Sequence, residues 1–507
     1  MKNAYLILSS LFVLTLLLPA CTDLEVEEFD SVVVESASGE FAGVDPTAAL
    51  VTAYANLRGV GDQNRVFTLS EVPTDEMLVP TRGTDWGDNG VFRTLHSHTW
   101  DATHPQVRDA WNELNSNVFR INQLLDSRSG ASTQQIAEGR FLRAWNMFWI
   151  LDFWGKIPFR EVDEGPEVNP RVLETQEAFD FIMADLNAAI PDLPSVAPGS
   201  GTISASIASA NYLKAKMLLN KHAWLGGSPA ASDMTDVVTA VNAIEAEGYD
   251  LEQGYFNIFS PDADTETIFF TDAGVGNRIF NGLHYNQRTP DNGGGGWNGF
   301  SATSELYDLF EGPMENTPGA GQEERRGFVP TTGLGYGILV GQQYDVQGSG
   351  AALNDRSGNP LVFTRTLPGL AGNSETTGGR IIKYHPDQTG GSFRPHLILM
   401  RFADAHLMKA EAIMRGGTGA ESALDLVNEL RVLRGATPLA TLTEQDVLDE
   451  RARELYQELW RRNDQIRFGT FDDTWSFKTS TESFRSRFPI PQQAMGSNPN
   501  LIQNEGY

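Results

Sequence analysis

The stretch that decides the fold is residues 443–469, which read TEQDVLDERARELYQELWRRNDQIRFG. Apolar residues recur there at steps of four, three and four, at Leu448, Ala452, Leu455 and Leu459. This spacing places them on one face, so the pattern predicts a single long amphipathic helix over the whole stretch. Thr443 is a suitable N-cap, because its hydroxyl can accept a hydrogen bond from a free N–H of the first turn.

Charged residues fill the other faces of the predicted helix. Three carboxylates follow one another at steps of one turn, and we call them the carboxylate ladder: Glu450, Glu454 and Glu458. Arginines interleave with them at Arg451, Arg453, Arg461, Arg462 and Arg467. Three carboxylates in register could form an active site, but carboxylates and guanidinium groups at helical spacing more often form ion-pair networks. We therefore predict that the carboxylate ladder is structural.

The same stretch resembles the C-terminal signature of the SusD/RagB-like family, which are surface nutrient-binding lipoproteins of the phylum Bacteroidota. The resemblance is carried by Glu450-Arg451-x-Arg453-Glu454-Leu455, followed by Glu458, Arg461, Asp464 and Ile466-Arg467. The signature usually has glycine after its third glutamate, where this chain has Leu459. The closing run, from Phe488-Pro489-Ile490-Pro491 to Tyr507, is also typical of the family.

A second match lies far upstream, so the resemblance spans most of the chain. It consists of Glu138-x-Arg140-Phe141-Leu142-Arg143-Ala144 with Gly155-x-x-Pro158. The resemblance implies a mostly α-helical, tetratricopeptide-like scaffold with an irregular region of loops and short strands. The chain shows no clean repeat of about 34 residues, so periodicity alone does not predict such units.

The domain boundaries follow from these patterns. We predict a lipoprotein signal peptide over residues 1–20, a tether over 21–43 and one SusD-like domain over 44–507. The helical scaffold is predicted over 44–250 and 400–470. The loop-rich, ligand-binding region is predicted mainly over 60–105 and 250–400, where Gly, Asn, Asp and Trp interrupt short apolar runs.

The composition narrows the range of partners. The chain has 507 residues, 40% of them hydrophobic, which is enough for a sizeable core. Its formal net charge of −28 disfavours nucleic acid as a partner, because binding phosphates requires clustered Lys and Arg.

The single cysteine, Cys21, predicts lipidation. An apolar run from Leu6 to Leu18 precedes Pro19-Ala20-Cys21, which is the pattern of a secretory signal that ends at a lipobox-like cysteine. Several acyl chains on Cys21 would anchor the protein stably in a membrane. The acidic residues 22–28 correspond in the family to a surface-export signal, so the resemblance implies an outer-membrane, cell-surface location.

Sequence signals for catalysis are weak. The chain lacks a His-Glu-x-x-His motif, a Gly-x-Ser-x-Gly elbow and a Walker-type phosphate loop. His96-x-His98 with His104 could supply imidazoles to a metal, but histidines in loops are more often not ligands. A pair of glycosidase carboxylates cannot be singled out among so many Asp and Glu residues. We predict a protein without catalytic residues, metal or cofactor.

The candidate ligand site is predicted from loop aromatics and their polar neighbours. Trp86 lies in a Gly/Asp/Asn loop and Trp297 follows four glycines, so neither lies on the apolar face of a helix. We predict Tyr285 beside them, together with four polar partners. They are Arg82, Asp75, Asn89 and Asn298. Aromatic faces stack on sugar rings while amides, carboxylates and guanidinium groups bind hydroxyls. The alternative is that one or both tryptophans only pin a loop to the scaffold. If these residues do not bind the ligand, we expect the site at His96–Trp100.

The resemblance then implies the function. It implies a non-catalytic lipoprotein that captures oligosaccharides and passes them to a SusC-like TonB-dependent transporter in the outer membrane. Two alternatives stay open: a peptide-binding receptor of the RagB branch, and a surface glycoside hydrolase.

Overall fold

The structure is a computed structural model that describes residues 33–35, 41–165, 167–201, 203–260, 262–272, 275–288, 295–313, 321–328, 335–345, 349–384 and 397–507. The predicted signal peptide and Cys21 lie outside the described residues. Within the described residues, no helix is both long enough and apolar enough to cross a membrane.

Helices dominate the described part of the chain. They are α1 Pro46–Asn56, α2 Val66–Glu71, α3 Val91–His96, α4 Pro105–Leu125, α5 Thr133–Trp154, α6 Thr175–Ala189, α7 Ile207–Leu225, α8 Ala231–Ala246, α9 Val275–Phe280, α10 Ser304–Asp308, α11 Phe402–Met414, α12 Ala423–Leu433, α13 Glu444–Leu455, α14 Arg461–Phe468 and α15 Gln492–Ser497. The fold is therefore mostly α, as predicted.

The long helices pack on one another in chain order. α4 packs on α5, α5 on α6, α6 on α7 and α7 on α8, and the series then continues through α11 and α12. Three of the described helices begin with capping boxes, at Ser132, Ser206 and Thr443. This arrangement of packed helix pairs is the predicted tetratricopeptide-like scaffold.

The strands are short and lie between or beside the helices. They are β1 Val33–Glu35, β2 Phe41–Val44, β3 Met77–Leu78, β4 Ile157–Phe159, β5 Arg171–Leu173, β6 Thr267–Thr271, β7 Ser301–Ala302, β8 Gly327–Phe328, β9 Tyr336–Leu339, β10 Gly341–Gln342, β11 Val362–Phe363, β12 Arg380–Ile382 and β13 Leu397–Arg401. The described pairings are all antiparallel: β1–β2, β3–β7, β4–β5, β6–β13, β8–β9, β9–β12 and β10–β11. These ladders join segments that are remote in sequence, such as β3 and β7.

The core is rich in aromatic side chains from α5. Trp145, Phe148, Trp149 and Phe153 are fully buried. Trp149 stacks on Trp460 with ring centroids 5.4 Å apart. Since Trp460 directly precedes α14, this contact packs the C-terminal signature against the centre of the scaffold.

Two sequence predictions about local structure need correction. Residues 60–105 were predicted as loops with short strands, but they contain the helices α2 and α3 as well as the strand β3. Residues 443–469 were predicted as one helix, but they form α13 and α14, separated by residues 456–460, which we call the signature turn. Thr443 does cap α13, as predicted, within a capping box with Asp446.

The signature turn breaks the helix because its backbone leaves the right-handed region. Gln457 has a φ of 63° and Leu459 a φ of 82°, a conformation that costs an L-residue about 1–2 kcal/mol. The N–H of Gln457 donates to Glu76 and that of Leu459 donates to Glu71. The signature that this stretch resembles usually has glycine at the position of Leu459, and glycine adopts this φ without steric cost.

We expect Leu459→Ala to destabilise the protein more than Leu459→Gly does, by about 1 kcal/mol. Both variants lose the same buried leucine packing, but alanine keeps a Cβ in the left-handed conformation and glycine does not. Urea unfolding measures the difference. The same pair of substitutions at Leu448, inside α13 and 1% exposed, is the control and should show the usual order, with glycine worse by about 1 kcal/mol. The same order at both positions would contradict the prediction.

The carboxylate ladder is buried and ion-paired, as predicted, but in the described residues only Arg453 of the five interleaved arginines is a partner. Glu450 binds Arg325, Arg431 and Arg453, each within 2.7 Å. Glu454 lies 2.8 Å from Arg401, 3.0 Å from Arg434 and 3.1 Å from Arg325. Glu458 binds Lys383 and Arg401. Apart from Arg453 of α13 itself, these partners lie on β13, directly after β12, on or directly after α12, and in the segment before β8, so the network fastens the loop-rich region to the C-terminal helices.

Candidate functional site

Five segments meet at one surface and form the candidate site. They are residues 81–90, 281–287, 295–300, 354–357 and 373–377. Residues 295–300 are fixed along the backbone of 280–284, because Trp297 N–H donates to Phe280 O at 2.7 Å and Gly296 N–H to His284 O at 2.9 Å. A Cβ on Gly295 would lie 1.6 Å from the carbonyl oxygen of Tyr285, so this close approach requires glycine.

The Trp86 side chain packs between Phe92 and residues 299–300. Its ring makes edge contacts with Phe92 and Phe300, with centroids 5.7 and 5.8 Å apart. Its indole N–H donates to the carbonyl oxygen of Trp297 at 2.7 Å. A Cβ on Gly299 would lie 2.3 Å from its six-membered ring. Trp86 therefore holds Trp297 in place. This is the loop-pinning role that we gave as the alternative to ligand binding.

Trp297 presents the aromatic surface of the site. It is 40% exposed, the largest exposure among the described tryptophans. Its ring lies 5.6 Å from that of Phe280, tilted by 33°. Since its backbone is fixed on both sides, the indole is held at the surface with little freedom to collapse inward.

Arg356 bridges two carboxylates beside Tyr285. Its guanidinium binds Asp85 at 2.8 Å and also Glu375, and it lies over the Tyr285 ring at 3.9 Å. The Tyr285 hydroxyl donates to the same Asp85 oxygen at 2.7 Å. Arg356 thus covers one face of the ring that we predicted to stack on a ligand, while half of its own side chain stays exposed (49%).

His284 continues this network as a neutral imidazole. Burial lowers the pKa of His284 to about 4. Nδ1 accepts the N–H of Asn286 at 3.1 Å, so the proton resides on Nε2, which donates to Glu375 at 3.1 Å. The Asn286 amide in turn donates to Asn354 O at 2.8 Å, which ties residues 284–286 to residues 354–356.

Two buried arginines form the base of the site. Arg82 donates to the carbonyl oxygens of Ser374 and Thr377 at 2.7 Å and to Ser301 Oγ at 2.7 Å. Arg380 donates to Ser301 Oγ at 3.1 Å and to the carbonyl oxygen of Glu375 at 2.9 Å. In the described residues neither has a carboxylate in ion-pair contact, and burial lowers the pKa of Arg82 to about 9.

The predicted polar residues occupy different depths. Arg82 and Asn298 are buried, and the Asn298 amide is engaged by Arg380 and by the carbonyl oxygen of Glu375. Asp75 forms a two-point ion pair with Arg461 of α14, at 2.6 and 2.7 Å. Asn89 is exposed in a short turn. The structure brings Trp86, Trp297 and Tyr285 together, with Arg82 and Asn298 beneath them, and it engages Asp75 with the C-terminal signature.

Left-handed backbone conformations concentrate in these segments. Trp86, Asp88, Asn89 and Asn298 have φ values of 56°, 36°, 51° and 52°. Such residues persist where the surroundings fix them, and they cluster at ligand sites. These left-handed conformations therefore support a functional role for residues 81–90 and 295–300.

The two carboxylates that bind Arg356 are ionised at neutral pH. Hydrogen bonds from Tyr285 and Arg356 lower the pKa of Asp85. Burial acts to raise the pKa of Glu375, but its hydrogen bonds from Arg356 and His284 lower it overall. The accessible groups are therefore an indole face, one guanidinium and hydrogen-bond acceptors, which suit the binding of a polyhydroxylated ligand.

In the fallback stretch His96–Trp100, both histidines and the tryptophan are interior. His96, His98 and Trp100 are at most 2% exposed, so they offer no surface to a ligand. The rings of His96, His98 and His104 bond to backbone carbonyl oxygens of Val72, Met77, Ser476, Pro73 and Val91. Among the described residues, no group of three or more His, Cys, Asp or Glu side chains is arranged to hold a metal ion.

Sequence reasoning missed Arg356, Glu375, Asp85 and His284. Arg356 lies in the turn Asn354-Asp355-Arg356-Ser357-Gly358, which carried a clear turn composition. Nothing in the sequence connected that turn to Tyr285 or Asp85, which lie about 70 and 270 residues away. Only contacts between distant segments identify these residues.

The sequence and the helical fold of this chain are both similar to those of known proteins. Residues 265–507 match the model of the SusD family. The starch-binding protein SusD of Bacteroides thetaiotaomicron is 27% identical over 497 residues, covering 88% of this chain and 86% of that protein. SusD-like protein P25 of Formosa agariphila is 24% identical over 449 residues, covering 79% of this chain and 80% of that protein.

Solved structures share the fold. A laminarin-binding SusD-like protein superimposes with a TM-score of 0.67 at 22% identity, over 91% of this chain and 99% of that one. Surface glycan-binding protein A from Bacteroides thetaiotaomicron, in complex with laminarihexaose, gives a TM-score of 0.64 at 17% identity, over 90% and 98%. The chain is therefore similar to SusD-family proteins over most of its length, and its C-terminal part, residues 265–507, matches the family model, as the C-terminal signature indicated.

Proposed function

We propose that this protein is a non-catalytic, cell-surface lipoprotein that binds oligosaccharides at the site around Trp297. The observation that carries the proposal is the fixed, 40% exposed indole beside a network of ionised carboxylates and a half-exposed guanidinium. A sugar ring can stack on the indole while its hydroxyls bond to Asp85, Arg356 and Glu375. The names of its relatives, which bind starch and laminarin, support a carbohydrate ligand.

The electrostatics favour binding over hydrolysis. A glycosidase needs a general acid that stays protonated at neutral pH, which requires a raised pKa. At this site the pKa values of Asp85 and Glu375 are both lowered. Neither carboxyl group is therefore suited to protonate a leaving group.

Titration calorimetry against a polysaccharide panel tests the proposal, with a reducing-end assay on the same mixtures. We expect saturable binding of at least one oligosaccharide without release of reducing ends. A peptide library screened in parallel tests the RagB-type alternative. Binding of peptides and of no glycan would overturn the proposal, and new reducing ends would favour the glycoside hydrolase.

We further propose delivery to a SusC-like TonB-dependent transporter. The motivation is the similarity to SusD-family proteins together with the predicted lipid anchor, because a binder held at the membrane is useful only if its ligand is then imported. Co-purification from native membranes in mild detergent tests this. Recovery of this protein alone, with no barrel in cross-linked samples, would count against it.

We expect Cys21→Ser to release the protein from the outer membrane. The lipobox-like Ala20-Cys21 follows an apolar run, and acylation of the cysteine would supply the anchor. Fractionation of cells after a high-salt wash measures the distribution of the protein between membrane and soluble fractions. Ser10→Ala, within the same signal segment, is the control and should stay in the membrane fraction. A Cys21→Ser variant that stays there as well would disprove the anchor.

A further inference from the structure

Two carboxyl groups lie buried against the signature turn. Glu71 is the last residue of α2 and Glu76 directly precedes β3, and both are at most 1% exposed. Glu76 accepts the N–H of Gln457, and Glu71 accepts the N–H of Leu459. Because these N–H groups are two residues apart in one turn, the two carboxyl groups are neighbours, and each affects the pKa of the other.

This pair differs from every carboxylate of the ladder, because it lacks a cation partner. In the described part of the chain, no salt bridge reaches Glu71 or Glu76. The cations that face the pair are Arg278 of α9, Lys383 after β12 and Arg461 of α14. Each is engaged elsewhere: Arg278 lies over the Phe67 ring at 3.1 Å, Lys383 binds Glu458 and the carbonyl oxygen of Tyr456, and Arg461 binds Asp75.

Two ionised carboxylates in this position would repel each other and would both lose hydration. Glu71 Oε2 is buried and has no hydrogen-bond donor in the described residues. A protonated partner would remove the repulsion and supply a donor to Glu71, as in other paired carboxyl groups that share one proton. The other acidic groups that face the turn, Glu458 and the Tyr456 hydroxyl, are bonded to Lys383 and to the carbonyl oxygen of Arg325.

We propose that Glu71 and Glu76 share one proton and form, with Gln457 and Leu459, a pH-sensitive lock between α2 and the C-terminal signature. The lock holds the left-handed backbone of the signature turn, because both of its N–H groups end on this pair. It is separate from the ligand site, since Glu71 and Glu76 are sealed from solvent.

The stability contributed by the pair should fall as pH rises, because the pKa values of both carboxyl groups are raised in the folded protein. Burial raises the pKa of Glu71 and outweighs the hydrogen bond from Leu459 and the neighbouring groups that lower it. Burial and the neighbouring Glu71 carboxylate raise the pKa of Glu76 well above its usual value. The folded protein therefore keeps a proton that the unfolded chain has released above about pH 4.5, so the stabilisation is present at low pH and is lost as pH rises through the folded pKa values.

Urea unfolding of the wild type, Glu76→Gln and Glu71→Gln between pH 5.5 and 8 tests the proposal. Either amide supplies a donor without a titrating proton, so the excess proton disappears. We expect the unfolding constant of the wild type, relative to either variant, to rise about tenfold per pH unit while the pair retains its proton. Titrations of the histidines and of the other buried groups cancel in this ratio.

Glu505→Gln, at an exposed position, controls for the removal of one negative charge and should follow the wild type at every pH. A ratio to Glu76→Gln that stays constant across the range would overturn the proposal. Infrared spectroscopy of the wild type is a second measurement that needs no variant. We expect the C=O stretch of a buried protonated carboxylic acid at pH 6, and its absence would also overturn the proposal.

Discussion

Replacing Glu454 with alanine should lower the free energy of unfolding by about 3–5 kcal/mol, the range for breaking a buried ion pair by removing one partner. Glu454 is fully buried, and its two oxygens accept from Arg325, Arg401 and Arg434. These three arginines hold the pKa of Glu454 far below its usual range against the opposing effect of burial. Without the carboxylate, three guanidinium groups would remain buried with one charge fewer to balance them.

Urea unfolding of Glu454→Ala measures the loss, and Glu454→Gln separates charge from shape. We expect Glu454→Gln to recover only part of the stability, because the amide fills the space without neutralising the arginines. Glu429→Ala is the matched control, since the Glu429 side chain is 62% exposed and lies 3.8 Å from His406; it should change stability by less than about 0.5 kcal/mol.

The folded fraction of Glu454→Ala should bind its oligosaccharide with wild-type affinity, because the carboxylate ladder contributes no side chain to the site around Trp297. Calorimetry at a temperature where the variant is folded checks this. Wild-type stability combined with abolished binding would show that the ladder is part of a ligand site, contrary to the structural role.

Trp297→Ala should weaken oligosaccharide binding by at least about tenfold, which corresponds to about 1.4 kcal/mol. Stacking contributes about 0.5–1.5 kcal/mol for each aromatic contact beyond the area that it buries, and Trp297 is the exposed aromatic face of the site. Arg356 already covers one face of Tyr285, and Trp86 is wedged between Phe92 and Phe300. The loss should therefore concentrate on Trp297.

Trp297→Ala should keep the wild-type melting temperature, because the indole is already 40% exposed. Trp86→Ala should instead destabilise the protein by about 2–4 kcal/mol, since it empties the space that Trp86 fills against Gly299. Trp297→Phe should retain part of the affinity. Val51→Ala, on α1 and 66% exposed, controls for the loss of an exposed apolar side chain. Unchanged affinity in Trp297→Ala would move the binding site elsewhere.

The site was only partly predictable from the sequence. Trp86 and Trp297 could be selected because each lies outside an apolar helical face, and the structure places them in contact. Their different roles could not be derived, because the burial of Trp86 depends on Phe92, Phe300 and Gly299 packing around it. Arg356 could not be associated with Asp85, since nothing local records which distant loops meet.

The sequence by itself determined the helical periodicity of the scaffold, the N-cap at Thr443 and the one-turn spacing of the carboxylate ladder. Those properties depend on side chains three or four residues apart, and a helix brings such residues together wherever it packs. The tertiary structure alone decided that residues 456–460 break the signature helix, although Leu459 fits the apolar period. The reason is physical: Glu71 and Glu76, nearly four hundred residues away in sequence, accept the N–H groups of Gln457 and Leu459, and these bonds offset the cost of two left-handed residues that helical periodicity could not anticipate.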